Sequence, residues 1–202
     1  MKHDKNLLYE SFSYDSILPR KEKNYMFAIP LTRNHLISLY IMDDLTSATS
    51  RKIFGTTHFQ KAMSQKHHNF TTVALHTLGV TVTSLRLFYF LEMFGIKLDK
   101  EALIKSALCH DLGIIGRDEK FSTNAECCRN HPIDSAEIAR DIFPDLDEVT
   151  EDSIRTHMWP ACANAPSHAE GIIINIADKY CAVIEGIAGK HYCPGMPFID
   201  FV

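Results

Sequence analysis

From Thr71 onward, hydrophobic and polar positions alternate with the period of an α-helix. A first helix is predicted from a cap at Thr71 or Thr72 to Phe94, before a glycine stop. A second helix is predicted over residues 100–112, capped by Asp99 and ended by the glycine that follows. The pattern therefore predicts long helices in this part of the chain.

A polar loop is predicted over residues 116–130, since Gly, Asp, Ser and Asn are frequent there. Pro132 suits the first turn of a third helix, which we expect to end at Phe143. A fourth helix is predicted over residues 147–158.

The fifth predicted helix, over residues 169–187, is the most apolar. Ser167 and Glu170 have the spacing of a capping box at its start. Residues 171–177 are apolar on almost every side, so we expect this helix to be central. A buried strand is the alternative for this isoleucine-rich run, but the cap favours a helix. The pattern predicts an all-α fold.

Residues 1–60 show weaker periodicity, interrupted by Pro19 and Pro30, with one short helix predicted over residues 36–42. We predict an N-terminal helical extension over residues 1–60 and the main helical domain over residues 61–190. Prolines also exclude a helix from residues 191–202, for which we predict an extended tail.

Composition narrows the class of protein. The net charge of −4 disfavours nucleic acid and anionic membrane surfaces as partners. The sequence has neither a typical signal peptide nor a run of about 18 apolar residues, so we expect a cytoplasmic protein without a membrane anchor. Its 6 cysteines form no Cys-x-x-Cys motif and are expected to be free thiols.

Histidine is abundant, with 11 in 202 residues, and several lie at predicted helix ends. Asp178 is different, because a carboxylate inside an apolar helix needs a cation or hydrogen-bond donors nearby. Imidazole and carboxylate together form the ligand set of several transition metals. The candidates, in chain order, are His76, His110, Asp111, His131, His157 and Asp178.

This order, H…HD…H…H…D, resembles the HD-domain metal-dependent phosphohydrolase superfamily. The resemblance covers roughly residues 65–190, and its central string is Ala107-Leu-Cys-His-Asp-Leu-Gly113. The strings beginning at His157 and Ala177 resemble a subgroup of bacterial HD proteins. The implied fold is an all-α HD-domain helical bundle with an N-terminal helical extension.

The resemblance also implies two divalent metal ions. By analogy, His76, His110 and Asp178 hold one ion, His131 and His157 hold the other, and Asp111 bridges them. Iron is the expected metal, with Mn, Ni, Zn or Mg as alternatives. A hydroxide shared by the two ions would attack a phosphate ester, so we expect a hydrolase, a phosphatase or phosphodiesterase.

Other residues are candidates by position alone. Lys120 and Lys179 are predicted to grip a small phosphorylated substrate beside the catalytic His110 and Asp111. His67 and His68 either line the mouth of the site or are ordinary loop residues. A homodimer is a further expectation. Cyclic dinucleotides are disfavoured as substrates, because Ile114 stands where that branch of the superfamily has a lysine.

Two alternative functions remain at this stage. A minority of the superfamily uses the same six residues as a di-iron oxygenase, and ligand pattern alone does not separate the two chemistries. A regulatory protein that binds a nucleotide through the metal is the other alternative, and it would be expected to lack one or more ligands. None of the six is missing.

Overall fold

The structure, a computed structural model, describes residues 33–67 and 71–191. Within these ranges it contains nine α-helices and one short antiparallel ribbon, so the all-α prediction is confirmed. The elements are α1 (Arg33–Leu45), α2 (Ala48–Phe54), α3 (Thr57–Ala62), β1 (Lys66–His67), β2 (Thr71–Thr72), α4 (Val73–Glu92), α5 (Lys100–Cys109), α6 (Arg117–Lys120), α7 (Asn124–Ile142), α8 (Glu148–Thr156) and α9 (Ala169–Ala188).

The chain divides into two units between Leu36 and Ile37, inside α1. Of the first unit, the described residues are the first turn of α1. The second unit contains the rest of α1 and all later elements. The short helix predicted over residues 36–42 is therefore part of a longer one. Predictions for Pro19, Pro30, His68 and residues 192–202 lie outside the described residues, and the domain boundary at residue 60 stays a prediction.

Helix α4 is the long first helix of the sequence pattern. Its predicted cap is confirmed, because the Thr72 hydroxyl accepts a hydrogen bond from the backbone N–H of Leu75. By length and composition α4 could cross a membrane, but 56% of its most apolar window is buried. It packs against α5 and α9, which is typical of a core helix.

Helix α5 begins at the predicted cap, where the Asp99 carboxylate accepts from the N–H of Ala102. It ends at Cys109, three residues before the predicted end, and a 3₁₀ turn follows over Leu112–Ile114. Gly113 is thus not a helix stop, and the prediction was wrong. A Cβ at Gly113 would lie 2.3 Å from the backbone oxygen of His131, so glycine is needed where this turn meets α7.

Helix α7 occupies the second half of the predicted polar loop, so the predicted loop and the predicted start of this helix were wrong. It begins at Asn124, so Pro132 lies in the helix interior and not in its first turn. Its cap is Thr123, whose hydroxyl accepts from the N–H of Glu126. Thr123 and Glu126 have capping-box spacing, a signal that could have placed the start of this helix correctly.

Helices α8 and α9 pack against each other, and α8 also contacts α5 and α7. Helix α9 is a helix as predicted, with no strand in its place, but its predicted capping box is wrong. The N-cap is His168, without a side-chain cap. The Glu170 carboxylate instead accepts from the backbone N–H of Asp99 at 2.6 Å, so it joins α9 to the start of α5.

Candidate metal centre

The six residues predicted from the H…HD…H…H…D order come together in the helical core. His76 lies in the first turn of α4, and His110 and His157 directly follow α5 and α8. Asp111 begins the 3₁₀ turn, while His131 and Asp178 lie inside α7 and α9. Each is at most 9% exposed. Five separate segments of the chain therefore contribute residues to one buried cluster.

Asp111 stands between two groups of donors. Its Oδ2 lies 3.7 Å from Nε2 of His76 and 3.6 Å from Nε2 of His110. Its Oδ1 lies 3.2 Å from Nε2 of His131 and 3.6 Å from Nε2 of His157. The two carboxylate oxygens thus face different pairs of imidazoles.

We call His76, His110 and Asp178 the α9 half-site, and His131 and His157 the α8 half-site. In the α9 half-site, Asp178 Oδ1 lies 3.0 Å from Nε2 of His76 and 3.9 Å from Nε2 of His110. The donor atoms of His76, His110 and Asp178 all lie within 4.8 Å of one another, and so do those of Asp111, His131 and His157. Donors held about 2.1 Å from one ion have separations in this range.

The imidazole tautomers also fit metal ligation. Nδ1 of His110, His131 and His157 lies 2.7–2.8 Å from the backbone oxygens of Ala107, Cys127 and Ile154, respectively. A carbonyl oxygen only accepts, so each Nδ1 donates its proton. Nε2 of each neutral ring then carries a lone pair directed into the cluster, which is the arrangement of a metal-binding histidine.

Two features are costly unless a cation is bound between these nitrogens. Nε2 of His131 and Nε2 of His157 lie only 3.0 Å apart, so two neutral rings with lone pairs facing each other would repel. Nε2 of His110 is buried and makes no hydrogen bond within the described part of the chain. A buried, unsatisfied nitrogen costs on the order of 1–3 kcal/mol, which a metal ion would recover.

Carboxylates and burial shift the pKa values of the cluster histidines in opposite directions. Burial lowers the pKa of His131, but its hydrogen bonds to Asp111 and Cys127 and the charge of Asp111 together outweigh burial and raise that pKa to about 10. Burial also lowers the pKa of His76, but the hydrogen bonds to Asp178 and Glu185 act in the opposite direction. The pKa of His76 is raised well above its usual value. Burial dominates at His110 and lowers its pKa to about 4.

The two carboxylates are kept ionised by the imidazoles. Burial raises the pKa of Asp111, but the charge of His110 and hydrogen bonds from His131 and His157 hold it well below its usual value. Burial also raises the pKa of Asp178, but the hydrogen bond from His76 and the charges of the surrounding histidines together more than reverse this. The cluster therefore presents two anions and a set of nitrogen bases, a donor set suited to divalent transition metals.

Glu185 is a part of the cluster that the sequence reasoning missed. It is 1% exposed, and its Oε1 accepts from Nδ1 of His76 at 2.7 Å. Its Oε2 accepts from the Thr71 hydroxyl at 2.9 Å. Glu185 follows Asp178 by seven residues, which places both on one face of α9, and this spacing was a usable signal. A carboxylate behind a histidine orients the ring and increases its basicity.

His67 was predicted at the mouth of the site or in an ordinary loop. The structure places it on β1, buried, with Nε2 3.8 Å from Oδ2 of Asp111. Its ring centroid lies 4.4 Å from that of His76. His67 thus joins the cluster at its edge.

The two predicted phosphate-gripping lysines have different surroundings. The Lys179 ammonium lies 3.2 Å from the backbone oxygen of His157, next to the α8 half-site. Burial lowers its pKa, and the charge of Asp178 opposes that change. The Lys120 ammonium donates to the backbone oxygen of Gly113 at 2.8 Å and pairs with Asp134 at 2.5 Å. Lys120 is therefore held on the surface of the turn that follows Asp111.

Two arginines lie in the segment that follows Asp111. Arg117 donates to the Asn124 side chain, and Arg129 is exposed on α7. A surface groove of about 420 Å³ lies nearby and is lined by Lys120, Phe121, Glu126, Asn130, Ile133 and Asp134. Since none of the six cluster residues lines it, we do not assign the chemistry to this groove.

Comparison with known proteins agrees with this geometry. The family model described as "HD domain" matches residues 73–183, which is more than half of the chain and includes all six cluster residues. The chain belongs to the HD-domain family. No curated protein and no solved structure matches it. The predicted membership of the HD superfamily of metal-dependent phosphohydrolases is confirmed. The buried histidine–aspartate cluster of this HD protein fits metal binding.

Proposed function

We propose that this HD protein is a phosphohydrolase that cleaves a small phosphate ester at a centre of two divalent metal ions. The observation that carries the proposal is the position of Asp111, whose two oxygens each face a separate pair of histidines. A carboxylate so placed can bridge two ions, one in each half-site. Two such ions would lower the pKa of a shared water and neutralise charge on the phosphoryl oxygens.

The side chains of this protein then have defined tasks. Asp111 would bind both ions, while Asp178 and the four histidines would be their other protein ligands. The backbone carbonyls behind His110, His131 and His157 keep each Nε2 directed into the centre. Close packing against Gly113 keeps the two half-sites together, because α7 carries His131 and the turn carries Asp111.

Cationic donors are also needed to bind a phosphate. We propose Lys179 for this task, since its ammonium lies beside the α8 half-site and its burial strengthens attraction to an anion. Lys120 is proposed in a weaker role, because its ion pair with Asp134 must open before it can reach a substrate. Iron is the proposed metal on the imidazole-rich donor set, with manganese as the first alternative.

The test begins with anaerobic purification and metal analysis, which we expect to give two ions per chain. Phosphatase and phosphodiesterase activities are then assayed with p-nitrophenyl phosphate and bis(p-nitrophenyl) phosphate. Activity should disappear on chelation and return on adding Fe²⁺ or Mn²⁺. A mixed-valence di-iron signal with oxygen consumption and no ester cleavage would overturn the proposal in favour of an oxygenase.

A further inference from the structure

We propose that Asn175 is a positioning residue of the metal centre, which holds His157 in the α8 half-site through hydrogen bonds to the backbone. This inference rests on the proposed function, because it assumes that His157 binds an ion. Asn175 lies outside the six-residue HD pattern. Its side chain is buried, at 8% exposure, and it lies on α9 three residues before Asp178.

The carboxamide of Asn175 contacts two backbone carbonyls at the end of α8. Its Nδ2 lies 2.6 Å from the backbone oxygen of His157 and 2.7 Å from that of Trp159. Because a carbonyl oxygen only accepts, the amide nitrogen must face both oxygens, and its two protons suffice for two hydrogen bonds. Carbonyls at the C-terminus of a helix have no partner within that helix. Asn175 therefore supplies hydrogen-bond donors from α9 at the point where α8 ends.

His157 depends on such contacts more than the other histidine of its half-site. His131 lies inside α7, where the helix continues on both sides of it, whereas His157 directly follows the last residue of α8. Nδ1 of His157 donates to the backbone oxygen of Ile154, which orients the ring but does not fix the backbone beyond the helix. The Lys179 ammonium lies 3.2 Å from the His157 oxygen, farther than the amide nitrogen of Asn175. Asn175 thus makes the shorter hydrogen bond from α9 to the backbone of this ligand.

A displacement of His157 would change the geometry of the α8 half-site. Its Nε2 lies 3.0 Å from Nε2 of His131 and 3.6 Å from Oδ1 of Asp111, and one ion would have to contact all three atoms. Since a bound ion needs its nitrogen donors at about 2.1 Å, a small shift of one donor weakens binding. The hydrogen bonds of Asn175 go to the backbone of His157 and Trp159, so their loss should act on the α8 ion and leave the α9 ion in place.

The test uses Asn175→Leu, which keeps a side chain of similar size but removes both N–H donors. Full-length protein is titrated with Co²⁺ against a chelator, and the d–d absorption of each bound ion is recorded. We expect the α8 ion to bind about 10-fold more weakly, with an altered Co²⁺ spectrum, while the α9 ion keeps its affinity. Glu185→Gln identifies the α9 ion, because it removes the carboxylate charge behind His76. Asp147→Ala is the matched control, since it removes the cap at the other end of α8.

The outcomes separate this inference from the proposed function. Unchanged affinity and spectrum of the α8 ion in Asn175→Leu would overturn it. Equal weakening of both ions, or the same loss in Asp147→Ala, would also overturn it, because Asn175 would then only stabilise the fold. If Asn175→Leu fails to fold by circular dichroism, Asn175→Ala replaces it and is compared by the same two measurements. If the protein binds two ions and cleaves no ester but Asn175→Leu still weakens the α8 ion alone, the inference stands while the hydrolase proposal fails.

Discussion

In the α9 half-site the Nδ1 of His76 donates to the Glu185 carboxylate, whereas in the α8 half-site the Nδ1 atoms of both histidines donate to backbone carbonyls. The α9 half-site also contains its own carboxylate, Asp178, while the α8 half-site relies on Asp111 alone. More negative charge and a more basic imidazole increase affinity for a cation. We therefore expect the α9 half-site to bind its ion more tightly, and the two ions to load in order.

The largest expected effect comes from removing the residue that the half-sites share. In Asp111→Ala both ions should lose affinity, and ester hydrolysis should fall by more than about 100-fold, as for loss of a major electrostatic group. Metal analysis and steady-state kinetics measure this. The matched control is Asp118→Ala, an exposed carboxylate on α6. Unchanged metal content and hydrolysis rate in Asp111→Ala would show that Asp111 does not bind the two ions.

A smaller effect should separate the two half-sites. Glu185→Gln keeps the size of the side chain but removes the charge behind His76, so the α9 ion should bind about 10- to 100-fold more weakly. The α8 ion should be unaffected. Chelator competition with Co²⁺ resolves the two affinities, and Glu170→Gln is the control, a buried carboxylate near the other end of α9. Equal weakening of both ions would contradict the difference between the half-sites.

The smallest effect concerns α8, which delivers His157 at its end. Asp147 caps this helix, and its carboxylate accepts from the N–H and hydroxyl of Thr150. Asp147→Ala should reduce the free energy of unfolding by about 1 kcal/mol. Metal affinity in the α8 half-site should not change, because the cap is at the opposite end of α8. Chemical denaturation and metal titration measure the two quantities.

The cap should also depend on pH. Burial raises the pKa of Asp147, but the hydrogen bonds from Thr150 outweigh it and lower that pKa. The ionised cap therefore stabilises the folded state fully above the ordinary carboxyl pKa of about 4, and the contribution is lost as pH falls through the folded-state pKa. The difference between wild type and Asp147→Ala should shrink in acid, while Asp147→Asn should retain most of the stability at every pH. A difference that stays constant into acid would contradict this.

Much of the fold could be predicted because caps and periodicity act over a few residues. Thr72, Asp99 and Asp147 cap their helices as local rules require. The predictions failed where a residue serves a distant partner. Glu170 has capping-box spacing but binds the backbone of Asp99, and Gly113 is needed for the approach of α7 and not for ending α5.

The sequence by itself determined the helical class, most helix positions and the six residues of the cluster, because each depends on residue type and spacing along the chain. Only the tertiary structure decided that Glu185 supports His76 and that His67 lies close to Asp111. These relations join residues up to 109 positions apart. They depend on how α4, α5, α7, α8 and α9 pack, which no local pattern encodes.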